Sequence, residues 1–361
     1  MSRKALAGVA AVLGVRPMAV YGFRMLRTYC CRYESLLSLV AFWLLWMYVR
    51  WLTDRYRPFI TGKRITSAPF EIPAKMINVR FGTLRKQAGD RWNVYKTNFA
   101  YYAARGPRPY MEDRMSFVND PFNANITIYA LYDGHGGQLV SEFLEKSFTT
   151  ALVKRVTNDD GLIDWHTVLS EEIVRADQQV TKKHGLRKTY ITGSTLVAAV
   201  LHQARYLTVA SVGDSRAVLC DRNNRAKQIT VDHKPNTLLE KNRIESAGGF
   251  IAFNGVWRVA GILATSRALG DAYLKRLGYL TAQPDVMTID LLGERPKFLL
   301  IASDGLWDVV SNQEAVDIVR SSGRENLTGA AKTLVDTALQ RNSMDNISVM
   351  VIRLPGSGAF A

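Results

Sequence analysis

Acidic side chains recur in this chain where apolar runs stop. The run "NITIYALYD" (125–133) ends on Asp133, and "KFLLIASDGLWD" (297–308) reaches Asp304 just past its apolar stretch. In "SMDNISVMVIRL" (343–354) the order reverses, with Asp345 immediately before the run. Asp271 follows a glycine in "ATSRALGDAYL", Glu112 and Asp113 sit in "RPYMEDRMSF", and Asp214 lies in "RYLTVASVGDSRAVLCD". A single carboxylate at a strand end is ordinary turn chemistry. Several of them on buried-type runs are costly unless something compensates their charge. A shared divalent cation is the simplest compensation. Oxygen-only donors select Mg²⁺, Mn²⁺ or Ca²⁺, and without any Cys-x-x-Cys the ligand spacing of zinc is absent.

Glycines sharpen that reading. In "YDGHGG", Gly134, Gly136 and Gly137 remove side chains, so the backbone can turn tightly and approach a ligand, with the Gly134 carbonyl available to a metal. The next segment spaces Leu139, Phe143, Leu144, Phe148 and Leu152 as one face of a helix, whose N-terminal dipole faces the acids. A Gly-Lys-Ser/Thr phosphate loop does not occur.

The elements that must position these residues are legible at coarse grain. Strand-like runs cover 126–132, 206–220 (broken by a tight turn at Gly213-Asp214), 297–302 and 347–353. Helical periodicity covers 138–156, 165–182, 236–247 and 326–341. Their mixed order argues against a doubly wound sheet. The expected organisation is a basic N-terminal segment (1–34), a membrane-anchoring helix (35–52), a linker (53–91), a catalytic domain (92–355) and a short tail (356–361).

Charge separates those parts. The chain carries +15, of which residues 1–90 hold +11 and the remainder +4. The basic excess beside apolar residues suits an anionic membrane surface and not a nucleic acid. A metal-dependent nuclease also clusters carboxylates, but the domain's charge offers it no basic groove. The stretch "SLLSLVAFWLLWMYV" before Arg50 holds no charge. Its 15 residues span about 22 Å as a helix, short of a ~30 Å hydrocarbon core, with Tyr48, Arg50 and Trp51 suited to the interface. The acid-free first 33 residues and the apolar run 5–15 leave a signal sequence and a mitochondrial transit peptide both open. Only Cys220 falls in the domain, so no internal disulfide forms there.

"RPYMED", "YDGHGG", "TGSTLVAAVL", "SVGDSRAVL", "GILATSRALGD", "IASDGLWDVVSNQEAV" and "MDNISVMVI" stand in the order found in metal-dependent protein phosphatases of the 2C type, which the chain resembles from about residue 92 to 354. Its apolar N-terminal segment is similar in character to that of membrane-anchored members.

The resemblance implies an α+β fold, a four-layer α-β-β-α sandwich with two antiparallel sheets. It also implies hydrolysis of phosphoserine and phosphothreonine by a water activated between two Mn²⁺ or Mg²⁺ ions, without a phosphoenzyme. Asp133 would bridge the ions. Glu112 and the Gly134 carbonyl would complete one, and Asp271, Asp304 and Asp345 would serve the other or an adjacent one. Arg108 would hold the substrate phosphate, and His135 would protonate the leaving oxygen. Asp113 would orient bound water or His135, with Asp214 and Thr195 in support. His233, in "VDHKPN", is expected to stabilise a loop. Phosphorylated signalling proteins are the implied substrates. An endoplasmic reticulum membrane with the domain in the cytosol is the implied location, a mitochondrial one the alternative. A scaffold that keeps the fold without activity is the competing function; the retained acids weigh against it.

Overall fold

The structure, a computed structural model, describes Trp43, Trp46 and Met47 and residues 80–81, 85–87, 90–119, 126–157, 163–323 and 326–355. The chain divides into two compact units, Met1–Phe70 and Glu71–Ala361. In the first, Trp43, Trp46 and Met47 are helical and exposed. The rest of the expected anchor, together with residues 1–34, 53–79 and 356–361, lies outside the described residues. Among the described residues no helix is long and apolar enough to cross a membrane.

Two antiparallel sheets build the second unit. One runs, in spatial order, through Arg80–Phe81, Arg114–Asn119, Ile126–Tyr132, Leu196–His202, Tyr206–Val212 and Asp285–Asp290. The other runs through Ala226–Gln228, Arg216–Cys220, Phe298–Ala302, Ile347–Arg353, Phe99–Ala104, Arg91–Lys96 and Arg85–Gln87. Their central strands are apolar on both faces, and Ile126–Tyr132 and Phe298–Ala302 are buried at every residue. Such strands need cover on two sides, and they have it.

The inner faces meet in one core, where Phe99, Tyr101 and Met350 pack with Met115, Tyr129, Leu131 and Val209. The outer face of the first sheet is covered by the helices Leu139–Thr157 and Trp165–His184 through Leu144, Phe148, Leu169 and Ile173. The outer face of the second is covered by Asn312–Ser321 and Leu327–Gln340 through Val316, Leu334 and Val335. Each such buried aliphatic or aromatic side chain contributes roughly 1.5–3 kcal/mol. Helix, sheet, sheet and helix therefore stack in that order.

The strands expected at 126–132, 297–302 and 347–353 and the four expected helices agree with the structure to within about two residues at each end, as fraying termini do. The helix Asn312–Ser321 was not among the expected ones. Its signal is a capping box, Ser311-x-x-Glu314, in which Ser311 Oγ accepts from the Glu314 N–H at 3.3 Å. The sheets also extend into the segment read as linker: Arg80–Phe81 pairs with Val118–Asn119, and Arg85–Gln87 pairs with Arg91–Asn93.

A small third sheet matters most for chemistry. Its strands, Leu269–Gly270, Gly193–Ser194 and Gly134–His135, lie side by side in that order. It draws the glycine-rich turn after Asp133 and the turn carrying Asp271 onto one central pair, Gly193 and Ser194.

Candidate active site

Asp133 stands where the buried strand Ile126–Tyr132 stops. Its N–H donates to Thr195 Oγ1 at 3.2 Å, and its carbonyl accepts from the Thr195 N–H at 2.8 Å. Thr195 Oγ1 also meets Ser215 Oγ at 2.8 Å. Thr195 thus fixes the backbone of Asp133 and ties it to the Gly213-Asp214 turn. That turn needs glycine: Gly213 has φ +100°, and a Cβ there would lie 2.6 Å from Thr195 Cγ2.

Glu112 is held by its backbone. Its N–H donates to Asn346 Oδ1 at 2.7 Å, and its carbonyl accepts from Ser141 Oγ at 2.6 Å. A Cβ on Gly134 would lie 2.6 Å from that carbonyl, so glycine lets the two motifs touch backbone to backbone. Asn346 Nδ2 also donates to the carbonyls of Arg105 and Tyr110, at 2.7 and 3.0 Å, which pins the segment bearing Arg108.

Next to it, Asp113 is 2% exposed. Its Oδ2 accepts from Ser303 Oγ at 2.9 Å, while Oδ1 is buried with no partner. Burial, helped by the charge of Asp345, pushes Asp113 up to about 7. Asp133 is raised well above the usual carboxylate range by burial and then by Asp113, Asp304, Asp345 and Asp214. Asp304, which opens the short helix Asp304–Trp307, is raised by burial and then by Asp214 and Asp345. Glu112 and Asp345 are raised by burial as well.

The charges of Asp113, Asp214, Asp304 and Asp345, from four other segments, therefore all bear on Asp133. They do not form a closed cage, and among the described residues no three His, Cys, Asp or Glu side chains converge as ready metal ligands. The donor set nonetheless fits a hard divalent cation. It offers only oxygen, its charges repel, and one buried carboxylate oxygen has no hydrogen bond.

Two expected ligands have other partners. Asp271 Oδ2 lies 2.7 Å from His135 Nε2. Burial opposes protonation of His135, but the charge and hydrogen bond of Asp271, with Asp214 and Glu112, raise it. Asp345 Oδ2 accepts from Arg108 Nη2 at 2.6 Å, and Arg108 Nε donates to the Met344 carbonyl at 3.0 Å. The arginine expected to take a phosphate thus stands at the edge of the acid cluster. Pro107 and Pro109 fix the backbone on either side of it.

Several contributors escaped the sequence reading. Lys234 Nζ pairs with Asp214 Oδ2, places one cation against the acids and is raised by that pairing despite burial. It sits beside His233, which accepts from the Gly213 N–H at 3.0 Å through Nδ1 and so does stabilise a loop. Asn346 and Ser303 each neighbour an aspartate already singled out, and that adjacency was their only signal.

The family model described as Protein phosphatase 2C matches residues 100–347. Protein phosphatase 1L of Bos taurus is 36% identical over 345 residues, which is 92% of this chain and 95% of the relative. Probable protein phosphatase 2C 2 of Arabidopsis thaliana is 36% identical over 316 residues, covering 84% of this chain and 78% of the relative. The crystal structure of serine-threonine phosphatase 2C from Toxoplasma gondii superposes with a TM-score of 0.61 at 24% identity, over 79% of this chain and 98% of that one. At that identity it speaks to the fold alone.

Proposed function

The chain belongs to the protein phosphatase 2C family and is a serine/threonine protein phosphatase, and from that premise we propose that its acid cluster holds two Mn²⁺ or Mg²⁺ ions for direct hydrolysis of the phosphoester. In this reading Glu112, Asp133 and the Gly134 carbonyl would hold one ion, and Asp271, Asp304 and Asp345 would serve the other or an adjacent one. When bound, such a pair supplies an acidified water and neutralises phosphoryl charge.

The chain's own side chains do the rest. Arg108 exchanges part of its pairing with Asp345 for two phosphoryl oxygens, which its planar fork suits. Asp271 Oδ2, 2.7 Å from His135 Nε2, favours a proton on that ring, and His135 would give it to the departing seryl or threonyl oxygen. Asp113 is anchored through Oδ2 by Ser303 and keeps Oδ1 for a water at the reacting face. Thr195 and Asp214 support the frame. Nothing in this scheme forms a phosphoenzyme.

The observation that carries the reading is the burial of mutually repelling aspartates with one orphan oxygen. A phosphothreonine peptide tests it. Turnover should require added Mn²⁺ or Mg²⁺, stop with EDTA and vanish in Asp133→Ala. Turnover that survives EDTA in the wild-type enzyme would falsify it. The competing scaffold reading predicts no turnover with any cation.

We also propose anchoring at a membrane, with the domain in the cytosol and phosphorylated signalling proteins as substrates. Its support is the uncharged 15-residue run before Arg50 and the +11 charge of residues 1–90. Fractionation with protease protection tests it, and release of the full chain into the soluble fraction at low salt contradicts it.

A further inference from the structure

The helix Trp165–His184 covers the outer face of a sheet and packs on the strand Leu269–Gly270 that leads into the Asp271 turn, which one of its side chains also reaches by hydrogen bond. Asp177 Oδ1 accepts from the Gly270 N–H at 2.7 Å and also from Lys275 Nζ. Gly270 and Lys275 bracket Asp271, one immediately before it and one a helical turn after. Asp271 has φ +46°, in the left-handed region that a non-glycine residue enters at a cost of about 1–3 kcal/mol. Gly270, at φ +82°, is equally committed: a Cβ on it would lie 2.4 Å from the Thr192 carbonyl.

A strained turn persists only where its surroundings hold it. Here the backbone hold is the Asp271 N–H to the Thr192 carbonyl, 2.9 Å. The side-chain hold is Asp177, and its partner Lys275 is itself deep, with burial pulling the ammonium below its usual value against the pull of Asp177. A lysine and an aspartate, each about 15% exposed, paired under a turn that carries a functional acid are an expensive arrangement for mere stability.

We propose that Asp177 is a positioning residue: through Gly270 and Lys275 it sets the left-handed turn that aims the Asp271 carboxylate at His135 and the cation site. The covering helix is thereby coupled to the reacting centre by this hydrogen-bonded side chain in addition to its packing on Leu269. This inference rests on the reading of Asp271 as a cation ligand.

The test measures Mn²⁺ affinity directly by titration calorimetry, alongside thermal melting of metal-free protein, for wild type and four variants. Asp164→Ala removes the N-cap of the same helix, where Asp164 Oδ1 accepts from the His166 N–H, and controls for general loosening. Asp177→Ala should weaken the affected Mn²⁺ site by about tenfold or more while melting no lower than Asp164→Ala, which should bind Mn²⁺ as wild type does. Asp177→Asn keeps an acceptor for Gly270 and should recover part of the affinity, which also serves if Asp177→Ala fails to fold. Asp271→Ala should lose that site. Wild-type affinity in Asp177→Ala with loss in Asp271→Ala overturns the positioning role alone, as does equal weakening in Asp164→Ala and Asp177→Ala. Wild-type affinity in both Asp177→Ala and Asp271→Ala overturns the positioning role together with the ligand reading.

Discussion

His135 and Arg108 are the residues on which substitution should separate the chemical steps. A positioned general acid contributes about 10²–10⁴-fold when the leaving group is poor. His135→Ala should therefore cut kcat on a phosphothreonine peptide by that factor and cut p-nitrophenyl phosphate turnover far less, since that leaving group needs no proton. Equal losses on both substrates would remove His135 from the proton transfer. Arg108→Ala forfeits charge-assisted bonds of about 1.5–3 kcal/mol, so KM for phosphopeptide should rise by about 10- to 150-fold with a smaller change in kcat. An unchanged KM would show that the arginine only neutralises Asp345.

A histidine far from the acids gives a pH prediction. His202 is packed between Trp165 and Tyr206, its Nε2 meets Thr208 Oγ1, and burial lowers it to about 4. A group lowered in the fold binds its proton more readily when unfolded, so the fold loses stability as pH falls from about 6.5 toward 4. The full effect is about 3 kcal/mol at one site. Melting curves for wild type and His202→Phe should converge at neutral pH and diverge on acidification, with wild type falling faster. Parallel curves would contradict the assignment.

Gly193 decides more than any other residue at the scale of elements. It is the centre of the three-strand sheet, where a Cβ would lie 1.9 Å from Asp271 Oδ2 and 2.4 Å from His135 Nε2. Its backbone is not in the left-handed region, so alanine costs little in the chain itself. Gly193→Ala should separate His135 from Asp271 and lower kcat by at least tenfold while the protein still folds. Wild-type activity would mean that this contact does not matter to the reaction.

The same sheet marks the limit of what a linear reading can see. Asp133 and Asp304 were legible because apolar strands ending on a carboxylate are physically unusual. The pairings of Asp271 with His135 and Asp345 with Arg108 were not, because they join residues 136 and 237 apart in the chain through turns only the fold defines. Asp177 gave no signal, since one aspartate among polar residues on an amphipathic helix reads as solvated surface. The strands Phe99–Ala104 and Leu196–His202 were missed for a related reason: a short apolar run without alternation reads equally as buried helix, and neither is followed by a carboxylate as 126–132 is.

In the second unit, two sheets gather acidic charge at their strand ends, and among the described residues Lys234 and Arg108 pair with two of those acids. Buried repulsion of that kind destabilises the fold, and a bound cation relieves it. Mn²⁺ at a hundred times its dissociation constant should stabilise by about 2.7 kcal/mol per site, raising Tm by about 5–10 °C, with EDTA reversing the shift. A Tm indifferent to Mn²⁺ would mean that the acids are protonated or paired within the protein.

The most direct measurement counts the ions. Purified protein stripped of metal and titrated with Mn²⁺, followed by the loss of free-ion electron paramagnetic resonance signal, should take up at least two ions per chain. Asp133→Asn, which removes the charge proposed to bridge the ions, should lose at least one of them. Uptake of one ion or none by the wild-type chain, or the same count in Asp133→Asn, would contradict a paired-cation centre at Asp133.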